Sequence, residues 1–85
     1  MDLYAAYLGG PLDGDRMGEG HEVVLVAAVD REDAVARAVA KWRGAEPGHL
    51  DALERIDRVD GFEVSLTPAA GAAAGDDRLE METFN

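Results

Sequence analysis

Two histidines, His21 and His49, are the side chains of this chain best suited to holding a proton or a metal ion, and an acid closely follows each: Glu22 in one case, Asp51 in the other. An imidazole beside a carboxylate is the basic pair of acid–base chemistry, and two imidazoles with a carboxylate suffice as ligands for zinc or a similar ion. Glu19 adds another acid ahead of His21, and Gly9-Gly10 offers a stretch of bare backbone. Against a catalytic or metal reading, the histidines do not sit at metal-motif spacing on one helix, and no nucleophile with a partnered base is visible. An ordinary polar cap on strand ends explains the same residues. The candidate ligand-binding set is therefore Gly9, Gly10, His21, Glu22, His49 and Asp51, with no catalytic residue assigned and no metal or cofactor expected. Asp13, Asp15 and Glu19 fail the twelve-residue pattern of a calcium loop.

The elements that must position these residues follow from hydrophobic pattern. Residues 2–8, with Leu3, Tyr4, Tyr7 and Leu8, read as a strand ended by Gly9-Gly10-Pro11, and residues 9–20 read as a loop. Tyr4 and Tyr7 fall on opposite faces of that strand. Residues 22–29 are apolar at both parities, which predicts a central strand buried on both sides. Asp30 is placed as a helix N-cap, with Glu32 and Asp33 in the first turn. The helix is expected to run to about Arg43, with Ala34, Val35, Ala38, Val39 and Trp42 on its apolar face and Gly44 as its stop. Residues 50–58 and 62–67 read as a hairpin, and a three-residue loop at Val59-Asp60-Gly61 is preferred over a two-residue turn because it keeps Ile56 and Val64 on one face. Residues 68–77 form an Ala/Gly-rich linker, and residues 78–85 either an edge strand or a tail.

The resulting expectation is an α+β domain over residues 1–67: an antiparallel-rich mixed sheet of four strands in the order β-β-α-β-β, a short fifth strand if the tail pairs, and one helix on one face. A crossover through the helix would make the second and third strands parallel, bringing their starting ends, and so His21 and His49, to one edge of the sheet.

Bulk composition narrows the partners. A chain of 85 residues buries only about 60% of its surface on folding, so its core is thin and a second copy would add useful burial. Eighteen acids against eight bases give a net charge of −10, which repels nucleic acid and anionic membranes. There is no cysteine, and one lysine, Lys41. No targeting segment or membrane span is apparent, so the expected protein is soluble, acidic and cytoplasmic, and its composition suggests a bacterial source.

Taken in order, Tyr7-Leu8-Gly9-Gly10-Pro11, Glu19 to Glu22 around His21, the Val-rich strand, Lys41-Trp42, His49 to Asp51 and Val59-Asp60-Gly61-Phe62 resemble the DUF1543 family over about residues 2–67. Glu22 departs from the aspartate more usual after that histidine. The resemblance implies a fold and no activity. The function expected is a non-catalytic homodimeric binding or interaction module with an unknown small-molecule ligand. The alternative is a small enzyme or metal protein using His21 and His49.

Overall fold

The computed structural model describes residues 1–11, 18–45 and 47–84. In chain order its elements are β1 (Asp2–Pro11), β2 (Glu19–Ala28), α1 (Arg31–Ala40), β3 (His49–Ile56), β4 (Arg58–Val59) and β5 (Phe62–Glu63). β1, β2 and β3 form a three-stranded sheet in the order β2-β1-β3, and β4 and β5 form a separate two-stranded ribbon. The class is α+β with one helix, as expected. The sheet is smaller than expected, and every pairing is antiparallel rather than mixed.

Two corrections concern the sheet. β1, not β2, is the central strand. Tyr4, Ala6 and Leu8 are buried on its helix side, and Ala5 is buried on the other, where Tyr7 stays exposed. β2 is an edge strand, and its apolar residues at odd positions remain exposed. The run of valines and leucines suggested burial on both sides, but a single helix covers one face only. β2 and β3 do point the same way, since both run antiparallel to β1, but β1 lies between them.

Helix α1 covers the sheet face carrying Tyr4, Ala6, Leu8, Val26 and Ala28, against which it buries Ala34 and Ala38. Alanines on the helix and small residues on β1 allow close approach, and Val24, Val39, Trp42, Leu50 and Leu53 complete this thin core. The helix start is as expected. The Asp30 side chain accepts from Asp33 N–H at 2.8 Å, and Asp33 accepts in turn from Val29 N–H at 3.0 Å, a reciprocal cap.

The helix ends at Ala40, earlier than Arg43, with a tightened last turn in which Lys41 N–H bonds the Ala38 carbonyl and Trp42 N–H that of Val39. Gly44 is therefore not the stop. A Cβ at Gly44 or Gly48 would overlap the Trp42 indole, whose Nε1 donates to the Ala45 carbonyl at 2.8 Å, so these glycines clear space for the ring. Beyond the helix, Lys41 Nζ donates to the Leu25 carbonyl on edge strand β2 at 2.7 Å and to Asp77 Oδ2 at 2.9 Å.

The hairpin also differs from the preferred register. Val59 pairs with Phe62 and Arg58 with Glu63, and Val64 N–H bonds the Asp57 carbonyl at 3.0 Å. Asp60 and Gly61 both have positive φ, 53° and 83°, the pattern of a two-residue type I′ turn. The three-residue loop was preferred to keep charges off a core-facing side, but the ribbon's own residues, including Val59 and Phe62, are exposed and no such side exists. Residues 64–84 form no helix or strand, so the described part of the tail does not pair as a fifth strand. β1 continues through Gly9-Gly10-Pro11, with Pro11 paired to Glu19, so residues 9–11, 19 and 20 belong to strands and not to the expected loop. Asp13 and Asp15 lie outside the described residues.

Candidate functional site

Strand register brings the two histidines together. Gly9 of central strand β1 pairs with His21 on one side and with His49 on the other. Directly opposed residues on neighbouring strands point to the same face, so both imidazoles rise from the sheet beside a residue that has no side chain. This is the face away from the helix.

Asp51 reaches the same place through an irregularity in β3. Leu8 pairs with Leu50 and Tyr7 with Ala52, which leaves Asp51 as one extra residue in the ladder. A bulge of this kind re-aims a side chain, and such bulges are frequent beside binding sites. Here Asp51 Oδ1 lies 3.1 Å from His49 Nε2 and Oδ2 lies 3.8 Å from His21 Nδ1. A Cβ on residue 9 would stand 3.0 Å from Asp51 Oδ2, 3.1 Å from His49 Nε2 and 3.2 Å from His21 Nδ1. The three polar groups thus close over the bare Cα of Gly9. They remain accessible, with side-chain exposures of 67% for His21, 50% for His49 and 45% for Asp51.

The remaining candidates do not join the three polar groups over Gly9. The Glu22 carboxylate accepts from Arg43 N–H at 3.1 Å and from Arg43 Nε at 3.3 Å, which removes it from the imidazoles. Gly10 lies against Trp42 and the backbone of Pro47 and Gly48, under the helix-side layer. Neighbouring residues on a strand face opposite ways, and the pairs Gly9-Gly10 and His21-Glu22 are each split by that alternation. Nothing is described for the Glu19 side chain.

The shallow depression beside the cluster is lined by Tyr7, Leu8, His21, Glu22, Val23 and Asp51. Tyr7 and Val23 are directly paired across β1 and β2, and sequence reasoning did not include them in the site. The signal was available: Tyr7 shares the parity of Gly9, and Val23 that of His21. Among the lining residues there is no lysine, arginine, serine, threonine or cysteine. Among the described residues, no three histidine or acidic side chains stand close enough, as placed, to hold a metal ion. No helix among them is long and apolar enough to cross a membrane.

The family model described as Domain of Unknown Function (DUF1543) matches residues 16–66, more than half of the chain. The match includes His21, His49 and Asp51 and leaves out Gly9. No curated protein and no solved structure matches.

Proposed function

Since the chain belongs to the DUF1543 family, whose description carries no activity, we propose from geometry that it is a non-catalytic binding module that takes a small cationic ligand over Gly9, between His21, Asp51 and His49. The observation that carries this reading is the double register at Gly9, which sets an imidazole on each side of one bare Cα with the bulged Asp51 carboxylate between them. A carboxylate with two imidazole nitrogens offers acceptors to a positive group. The Tyr7 ring in the adjoining depression offers an aromatic face. The net charge of −10 favours cations over anions near the surface. Binding rather than catalysis is favoured because no serine, threonine or cysteine lines the depression, and the Tyr7 hydroxyl donates to Glu54 Oε1 rather than to an imidazole.

The test is an NMR titration of the protein with methylammonium and with guanidinium, following both imidazole side chains, with sulfate as the anionic control. Both histidines should respond to a cation and neither to sulfate. A response to sulfate alone would reverse the proposed charge preference.

A second reading, association with another copy of this chain, rests on a different observation. Tyr7, Val23 and Leu25 lie together on the helix-free face of β1 and β2 and are 40%, 58% and 39% exposed. Apolar residues grouped on one sheet face favour a partner that covers them.

A further inference from the structure

We propose that the cation held over Gly9 is a divalent transition-metal ion, coordinated by His21, His49 and Asp51. This rests on the cation-binding reading above and names its ligand. Two imidazoles and one carboxylate suit zinc and its neighbours in the first transition row, whereas magnesium and calcium prefer all-oxygen sets. The placement of the donors supports this choice. Ligand atoms about 2.1 Å from a tetrahedral ion stand roughly 3.4 Å from one another. Here the carboxylate has an imidazole beside each of its oxygens, His49 Nε2 at 3.1 Å from Asp51 Oδ1 and His21 Nδ1 at 3.8 Å from Asp51 Oδ2.

The backbone beneath the donors is held from both sides. β2 and β3 are each hydrogen-bonded to β1, so His21 and His49 stand about 10 Å apart, twice the ordinary strand spacing, with Gly9 midway. Two imidazoles leaning inward close such a gap. As placed, the three side chains do not converge to coordination distance. All three are substantially exposed, and coordination requires their side chains to turn toward one ion. Among the described residues, the ion pairs of Asp51 involve the two imidazoles and no lysine or arginine. The ion would sit outward of Gly9 with a coordination position open toward Tyr7 and Val23, where a water or a small ligand could exchange.

Gly9 supplies a specific test. A methyl at this position would stand 3.0–3.2 Å from all three donors and occupy the space between them, so that each must give by a few tenths of an ångström, yet it removes none of them. Zinc should be titrated into the chelator-free protein at neutral pH, with heats measured by calorimetry and both imidazoles followed by NMR. One ion per chain should bind in the micromolar range, with both histidines shifting and magnesium without effect. Gly9→Ala, His21→Ala and Asp51→Asn should each weaken binding at least tenfold while the circular dichroism spectrum is retained. If a variant loses that spectrum, the other two decide.

No imidazole shift at millimolar zinc, a shift of one histidine alone, or full affinity in a folded Gly9→Ala protein would overturn the metal assignment. In that event a shift with methylammonium or guanidinium leaves the broader cation reading standing, and silence toward all of these cations removes both.

Discussion

Asp33 is tied three ways at the start of the helix: it donates its N–H to Asp30, accepts from Val29 N–H, and meets Arg37 Nε at 3.0 Å one turn on. The Val29 hydrogen bond first, and the Arg37 contact second, hold its carboxyl below the usual aspartate range. A lowered folded-state pKa contributes stability above the unfolded pKa and loses it as pH falls through the folded one. Asp33→Asn should therefore be less stable than the parent at neutral pH, and the gap should narrow on acidification below the ordinary aspartate range. Urea denaturation across pH checks this, and a gap that widens in acid would contradict it. The acidic first turn was legible because capping depends on residues three apart. Gly9, His21, His49 and Asp51 could be grouped from the sequence because short words near predicted strand ends were expected to share one edge of the sheet, and strand register brings these four together. The carboxylate of Glu22 and the Cα of Gly10 lie off that cluster, because a two-letter word on a strand straddles both faces and its letters point apart.

Among the elements, the order of strands was the hardest thing to read. β1 is assembled from Ala5, Ala6, Gly9 and Gly10 as well as Tyr4 and Leu8, and small residues give a weak hydrophobic signal although they pack most closely at the sheet centre. β2 has the strong apolar signal and the edge position. Lys41, the only lysine of the chain, caps the Leu25 carbonyl on that strand, a positive group where an edge gains from protection against further pairing. The hairpin turn illustrates the opposite lesson. Asp60-Gly61 is a strong local signal for a two-residue turn, and a non-local consideration about core-facing charges overrode it when the ribbon in fact lies apart from the core. Gly61→Val should cost about 1 kcal/mol or more, since a β-branched residue resists a φ of 83°. Thermal melts and the Val59 and Phe62 amide shifts would register it. An unchanged ribbon would show that Gly61 is not needed in the left-handed region.

Among the described residues, one helix and three sheet strands leave one sheet face uncovered by the helix, and that a single helix cannot cover both faces was legible from the count of elements alone. The size of the sheet was not, because residues 58–63 carry strand-like composition without a strand long enough to join it. If that face meets a second copy, light scattering should give a dimer mass. Leu25→Arg, which places a charge among Tyr7, Val23 and Leu25, should then give a monomer with an unaltered circular dichroism spectrum. A parent protein that is monomeric at high concentration would remove the homodimer reading and leave the site over Gly9 untouched.

If the proposed site over Gly9 binds a cation, the extra residue in β3 makes architecture and recognition separable by a single codon. Without Asp51, the run His49-Leu50-Ala52-Leu53 would face Gly9-Leu8-Tyr7-Ala6 in unbroken alternation, with both leucines still turned to the helix. The carboxylate is an insertion that the packing does not require. Its loss should leave the melting temperature unchanged or higher while abolishing the response to cations, so a lineage could gain or shed this site in one step without passing through a misfolded protein.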